Sequence, residues 1–139
     1  TNPGSPPQPL GKIASGGELS RISLAIQVVT ASGGTLPSMV FDEVDVGIGG
    51  AVAEVVGRLL RDLAADAQVL CVTHLPQVAA QGHQHLQVSK TSSAESASTA
   101  MAQLDSKDKV QEIARMLGGV KITRQSLAHA REMLASAGS

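Results

Sequence analysis

The sequence of 139 residues predicts an α/β fold with a parallel βαβ unit at its centre. Two apolar runs, over 38–41 and 68–73, have the length of buried strands, and the segment 51–65 between them repeats apolar residues at helical spacing. Two strands joined by a crossover helix pair in parallel through a right-handed connection. We therefore expect the carboxyl ends of both strands at one edge of the sheet, where open α/β sheets bind ligands.

The N-terminal segment predicts an extended stretch followed by a helix. Residues 1–12 are rich in proline and indicate a loop cut out of a longer protein. A helix is predicted over 18–31, because Ser15 stands at an N-cap position and Glu18 follows three residues later, as in a capping box. The glycines at 33–34 end this helix.

The start of this helix is a candidate phosphate site. Ser15 offers a hydroxyl, and Gly16 and Gly17 lack the Cβ atoms that would keep a ligand away from the backbone N–H groups. Bare amides at a helix N-terminus attract anions. A well-capped surface helix with a glycine turn is the simpler alternative.

Polar residues follow both predicted strands of the βαβ unit. Asp42 and Glu43 come directly after the first strand, and His74 comes directly after the second. In such an acidic pair, one carboxylate can hold Mg²⁺ through water while the next deprotonates an attacking water. This assigns the metal to Asp42 and the base to Glu43, and His74 could donate to a γ-phosphate. The alternatives are a solvated strand end and a histidine that caps local backbone.

The remaining elements follow from periodicity and turn residues. A short helix is predicted over 75–80, a β-hairpin over 85–90 and 98–104, and two helices over 107–117 and from 123 onward. In the helix over 51–65, the predicted inward stripe consists of Val52, Val55, Val56, Leu59, Leu60 and Leu63.

Composition argues against several other functions for this segment. The net charge is −1 with no basic stripe, so direct DNA binding by the segment is not supported. The single cysteine, Cys71, lies in an apolar run and is expected to be a small core residue. Gly11 and Lys12 fail to complete a phosphate-binding GxxxxGK[ST] loop, because Pro6 and Ile13 replace the first glycine and the hydroxyl residue.

The order of these motifs resembles that of the ATP-binding cassette ATPases and, within them, the SMC-like heads. Residues 14–18 are similar to the signature motif, 39–43 to the Walker B strand, 44–47 to the D-loop and His74 to the switch histidine. Five longer strings are closer still to a bacterial DNA-repair ATPase of this group: 13–22, 40–50, 72–80, 112–119 and 126–132.

The resemblance implies that residues 1–139 form a single C-terminal lobe of an ATPase head. The Walker A lobe and the coiled coil that the family also carries have no counterpart in this sequence. With ATP and Mg²⁺ as cofactors, two heads would sandwich two nucleotides. Ser15 and the amides of Gly16 and Gly17 would grip the γ-phosphate bound to the second head, with Glu18 as the next residue of the signature motif. Asp45 would reach across the interface. The segment alone should be inactive.

The implied function is ATP-dependent repair of DNA double-strand breaks in a bacterial cytoplasm, in association with the nucleoid. The implied partners are the N-terminal Walker A lobe, a second head, and DNA through the full-length protein. Three alternatives stay open: another SMC-like head, a fragment of a transporter cassette, and a non-catalytic dimerisation module.

Overall fold

The computed structural model describes residues 38–42 and 47–138. The chain divides into two compact units, Thr1–Val78 and Ala79–Ser139, and each is described by itself. The described elements are, in chain order, β1 (Ser38–Phe41), α1 (Gly50–Leu63), β2 (Gln68–Cys71), α2 (Pro76–Ala79), β3 (Leu86–Ser92), β4 (Ala97–Gln103), α3 (Ser106–Gly118) and α4 (Arg124–Ala137).

The first unit contains the predicted parallel strand pair. β1 and β2 pair in parallel, with Ser38 opposite Gln68 and Phe41 opposite Cys71. The prediction of parallel strands joined by a helix is confirmed. β2 is shorter than the predicted 68–73, because the chain turns at Thr73, whose Oγ1 accepts a hydrogen bond of 3.0 Å from the backbone N–H of Leu75.

Helix α1 packs on one face of this pair. Its start uses Gly50 at φ 53°, a left-handed conformation that glycine adopts without a Cβ penalty. Five side chains form the buried core of the unit: Phe41, Ala53, Val56, Leu60 and Val78.

The predicted inward stripe of α1 is wrong for Val52, Val55 and Leu59, which are exposed. The buried side of the helix is rotated toward Ala53 and Gly57. Because these residues are small, they let the helix backbone approach the sheet closely, with Val56 and Leu60 packed beside them in the core.

The two strands are buried on one face only. Met39, Val69 and Cys71 pack against the core with Phe41, so Cys71 takes the core position that was predicted. Successive strand residues point to opposite faces. Accordingly, the other face carries exposed aliphatic residues, Val40 (65%), Leu70 (50%) and, directly after β2, Val72 (55%). The prediction of buried strands therefore holds for one face, and none of the described elements covers the other.

The second unit begins with the predicted hairpin. β3 and β4 pair antiparallel, from Leu86 opposite Gln103 to Ser92 opposite Ala97. Both strands extend closer to the turn than the predicted 85–90 and 98–104. Ser93 and Ser96 close this turn, and the backbone N–H of Ser93 donates to the carbonyl of Ser96 at 2.7 Å.

The helix pair α3 and α4 completes the second unit and confirms both predicted helices. Asp105 caps α3 by accepting a hydrogen bond of 2.8 Å from the N–H of Asp108, and Gly119 ends it at φ 69°. Thr123 and Ser126 form a capping box at the start of α4. The buried core of this unit consists of Ala80, Ile113, Ala114 and Ala130.

Among the residues that the structure describes, no helix combines the length and the apolar character that crossing a membrane requires.

Candidate functional site

The carboxyl edge of the parallel sheet carries two of the predicted site residues. Asp42 directly follows β1, and His74 lies three residues beyond the end of β2. The backbone N–H of Val72 donates to the carbonyl of Phe41 at 2.9 Å, so the pairing of the two chains continues to this edge. Because the strands are parallel and in register, Asp42 and His74 leave the sheet at the same edge.

Local packing fixes the backbone on both sides of His74. The Thr73 side chain closes the turn around it by accepting from Leu75, and Val78 in the following helix α2 is buried in the core. Both Asp42 and His74 have exposed side chains. A charged ligand at this edge can therefore reach a carboxylate and an imidazole without disturbing the core.

Asp42 has the chemistry of a magnesium residue. Mg²⁺ prefers oxygen ligands and retains several waters, so it needs only one or two carboxylates when phosphate groups supply the other ligands. An exposed carboxylate leaves room for those waters. The described residues contain no cluster of three or more histidine, cysteine, aspartate or glutamate side chains suited to a metal. At this edge, Asp42 contributes one exposed carboxylate, which is compatible with a metal whose other ligands are waters and phosphate oxygens.

The other predicted site residues lie outside the described residues and stay predictions: Ser15, Gly16, Gly17, Glu18, Glu43 and Asp45.

Sequence reasoning missed a polar cluster in the second unit, in which Gln87 and Arg115 surround the buried side chain of Glu112. The carboxylate of Glu112 is almost fully buried and accepts hydrogen bonds from Nε2 of Gln87 at 2.7 Å and Nε of Arg115 at 2.8 Å. The hydrogen bonds from Arg115 are the main reason that the pKa of Glu112 is lowered. The cluster fastens β3 to α3. Its sequence signal is a glutamate three residues before an arginine on one helix.

A half-buried histidine lies beside this cluster. Burial lowers the pKa of His85, while the negative charge of Glu112 raises it and the positive charge of Lys109 lowers it further. The ammonium group of Lys109 donates to the backbone carbonyl of His83 at 2.8 Å. Helix α3 thus holds the start of the hairpin through several polar contacts.

Comparison with known proteins matches nearly the whole chain to one group of relatives. No protein-family model matches the chain. It is 58% identical over 137 residues to the DNA repair protein RecN of Vibrio cholerae, which covers 99% of this chain and 25% of that protein. It is 59% identical to RecN of Xylella fastidiosa over 96% of this chain, and 43% identical to RecN of Bacillus subtilis over 99% of this chain. Each of these matches covers 24% of the relative.

Over almost its whole length, this chain matches the C-terminal region of RecN. The resemblance to a bacterial DNA-repair member of the SMC-like group, predicted from the motifs, is confirmed. The chain spans about a quarter of the length of the RecN relatives that it matches.

A solved structure supports the same fold. The chain matches, at a TM-score of 0.55 and 21% identity, a structure from work on ATP-driven dimerization and DNA stimulated activation of SMC ATPases. The match covers 75% of this chain and 63% of that chain. The predicted α/β fold class, that of an SMC-type head, is confirmed.

Proposed function

We propose that this chain is the C-terminal half of the ATP-binding and hydrolysing head of a RecN-like DNA double-strand-break repair protein. The observation that carries the proposal is the sheet edge at which Asp42 and His74 emerge together from parallel, paired strands. The high identity to RecN and the fold of an SMC ATPase support it.

In this proposal Asp42 and Glu43 have different roles in ATP hydrolysis. Asp42 would hold Mg²⁺ through a water ligand, and Glu43 would accept a proton from the water that attacks the γ-phosphorus. The bond from phosphorus to the bridging oxygen breaks, and ADP and phosphate leave. His74 donates a hydrogen bond to a γ-phosphate oxygen. The bound metal supplies charge neutralisation for the triphosphate.

The signature residues serve the second head. Ser15 and the amides of Gly16 and Gly17 grip the γ-phosphate of the nucleotide held by the opposite head, with Glu18 as the next residue of the signature motif and Asp45 at the interface. ATP then joins two heads, and hydrolysis removes the charge that the helix tip holds.

The exposed sheet face supports the proposal that a Walker A lobe is the partner of this lobe. Strands of parallel sheets are usually covered on both faces and read as continuous apolar runs. Here Val40, Leu70 and Val72 remain exposed on the face away from α1. An adjoining lobe would cover this face and supply the phosphate-binding loop.

Reconstitution with a Walker A lobe tests the proposal. We expect ATP hydrolysis when the two lobes are expressed together, and neither hydrolysis nor tight ATP binding by this chain alone. Micromolar ATP binding to the isolated chain, measured by calorimetry, would contradict the division between lobes. In the reconstituted head, Glu43→Gln should preserve ATP-driven dimerisation and abolish turnover, and a wild-type rate would remove Glu43 from its role.

The response to DNA tests the biological half of the proposal. Stimulation of the reconstituted ATPase by DNA is expected of a repair protein, and indifference to DNA would favour a transporter cassette. We place the full-length protein in the bacterial cytoplasm in association with the nucleoid. Imaging of a fluorescent fusion after DNA damage tests that placement.

A further inference from the structure

The turn after β2 holds His74 between two anchored residues. On one side, the backbone N–H of Val72 donates to the carbonyl of Phe41 at 2.9 Å and continues the strand pairing beyond Cys71. On the other side, Leu75 packs against the core of the first unit. The exposed imidazole therefore stands on a short segment that is fixed at both ends.

The side chain of Thr73 spans this segment with a hydrogen bond. Its Oγ1 accepts from the backbone N–H of Leu75 at 3.0 Å, and Thr73 is half-buried. A threonine hydroxyl that binds the backbone two residues later closes a small ring, which in this turn contains the backbone of His74. The ring restricts the two backbone dihedral angles of His74, and these set where its imidazole leaves the chain.

The backbone N–H of Leu75 obtains its acceptor from this hydroxyl. Leu75 lies after the last paired residue of β2, Cys71, and before the first residue of α2, Pro76, so neither element supplies an acceptor for it. The proline ring also disfavours the helical conformation in the residue before it, so α2 does not extend back over the turn. Removing the hydroxyl would leave a partly buried N–H unpaired and free the turn to rearrange.

We propose that Thr73 is a positioning residue for ATP hydrolysis, because its hydroxyl holds His74 in the backbone conformation from which the imidazole meets the γ-phosphate. The inference deepens the proposed function and rests on it, since it presupposes the role of His74 at the nucleotide. In this role Thr73 acts through His74 and contacts no reacting atom.

A positioning role predicts a loss of turnover without a loss of nucleotide binding. Catalytic groups must be held close to their productive geometry, and a displacement of about 1 Å can lower the rate about a hundredfold. In the proposed function, most of the contacts that bind ATP belong to the Walker A lobe and not to this turn. Loss of the Thr73 hydroxyl should therefore lower kcat and leave KM for ATP nearly unchanged.

Three substitutions in the head reconstituted with a Walker A lobe test this role. Thr73→Val removes the hydroxyl, keeps the β-branched shape, and should lower kcat about tenfold or more. Thr73→Ser keeps the hydroxyl and should retain most of the wild-type kcat. Thr91→Val, at an exposed position on β3, is the matched control and should hydrolyse ATP at the wild-type rate.

A double-mutant comparison shows whether Thr73 acts through the imidazole. In a His74→Ala background, Thr73→Val should lower the residual kcat no further, because no imidazole is left to position. A full additional loss of about tenfold in that background would overturn the proposal, since Thr73 would then have an effect independent of His74.

Amide hydrogen exchange supplies a readout that does not require hydrolysis. In Thr73→Val the N–H of Leu75 should exchange about tenfold or more faster than in the wild type, and in Thr73→Ser it should stay protected. Equal exchange in Thr73→Val and the wild type would overturn the proposal. Loss of both the thermal unfolding transition and ATP-driven dimerisation in Thr73→Val and in Thr73→Ala would overturn it in favour of a purely structural role.

Comparison with His74→Ala separates this inference from the proposed function. Normal turnover in Thr73→Val beside a large loss in His74→Ala would refute the positioning role alone. Wild-type turnover in His74→Ala, or no hydrolysis by the reconstituted wild-type head, would refute the proposed function itself. Exchange of the Leu75 N–H would still report in that case whether Thr73 holds the turn.

Discussion

The parallel sheet of the first unit and the helix pair of the second differ in how completely neighbouring elements bury their apolar side chains. In the first unit, helix α1 packs on one face of the parallel pair β1–β2, and Val40 and Leu70 are exposed on the other face. In the second, α3 and α4 pack on each other and bury Ile113, Ala114 and Ala130 completely.

Local signals at the helix ends differ in the same direction. Both α3 and α4 begin with a side-chain cap, whereas α1 begins at Gly49 without a side-chain cap hydrogen bond. Helix capping and the packing of adjacent helices depend on residues that are close together in the sequence. Burial of both faces of a parallel sheet depends on segments that are distant in the sequence. The difference teaches that the core of the helix pair is formed by segments close together in the sequence, whereas the sheet that carries the candidate site keeps one apolar face exposed.

The largest expected effect comes from opening the core of the second unit. Ile113→Ala should lower the free energy of unfolding by about 2–5 kcal/mol, because it removes a fully buried side chain and leaves a cavity. Chemical denaturation followed by circular dichroism measures the change. Val120→Ala, at a fully exposed position, is the control, and a similar loss in both variants would contradict a closed core around Ile113.

Removing the buried carboxylate should have the next largest effect. Glu112→Gln replaces an acceptor of charge-assisted hydrogen bonds from Gln87 and Arg115, and should cost about 1–3 kcal/mol. Denaturation near neutral pH measures this loss. Glu132→Gln, at an exposed position on α4, should change stability little.

The same substitution should also change the dependence of stability on pH. Since the pKa of Glu112 is lowered in the folded state, its stabilisation is present above the pKa of the unfolded state and disappears as pH falls through the folded value. The difference between wild type and Glu112→Gln should therefore shrink in acid. A difference that stays constant from neutral to acid pH would contradict the assigned role of the carboxylate.

A smaller effect is expected at the start of α1, where two adjacent glycines differ in conformation. Gly50→Ala should cost about 1–2 kcal/mol, because Gly50 has φ 53°. Gly49→Ala should be tolerated, since Gly49 is extended at φ −166° and a Cβ there meets no atom within 4 Å. Thermal unfolding of the two variants compares them, and equal melting temperatures would place Gly50 outside the left-handed region.

The smallest effect is expected for the surface ion pair on α1. Nη2 of Arg58 lies 2.7 Å from Oε1 of Glu54, which is one helical turn earlier, and both side chains are largely exposed to solvent. Arg58→Ala should change stability by only about 0.3–0.5 kcal/mol, and salt should reduce the difference. A loss above about 1 kcal/mol in denaturation would show that the pair contributes more than an exposed ion pair usually does.

Sequence reasoning predicted the described helices and strands because each is marked by periodicity and by turn residues. The pattern of α3 and its closing glycine, Gly119, lie within a few neighbouring residues, so the helix ends could be placed closely. The parallel pairing of β1 with β2 followed from connectivity, and with it the common edge for Asp42 and His74.

Side-chain burial could be predicted less well, because it depends on what packs against each element. Periodicity identified α1 but not its rotation, since Val52 and Val55 fit an inward stripe as well as Val56 does. The clustering of Gln87 with Glu112 joins a strand to a helix 25 residues later in the chain, and no local pattern encodes such a contact. The nucleotide roles came from the order of several motifs and not from any one residue.

The most direct test of whether this sheet edge acts on a nucleotide is the rate of ATP hydrolysis by the head reconstituted with a Walker A lobe. The rate is measured for Asp42→Asn and for the matched control Asp66→Asn. Asp66 is an exposed aspartate in the same unit that precedes β2, away from the carboxyl edge. We predict that Asp42→Asn lowers turnover about a hundredfold or more, because it weakens the hold on the metal that neutralises the triphosphate. Asp66→Asn should keep the wild-type rate. Wild-type turnover by Asp42→Asn would contradict the assignment of this edge as the catalytic one.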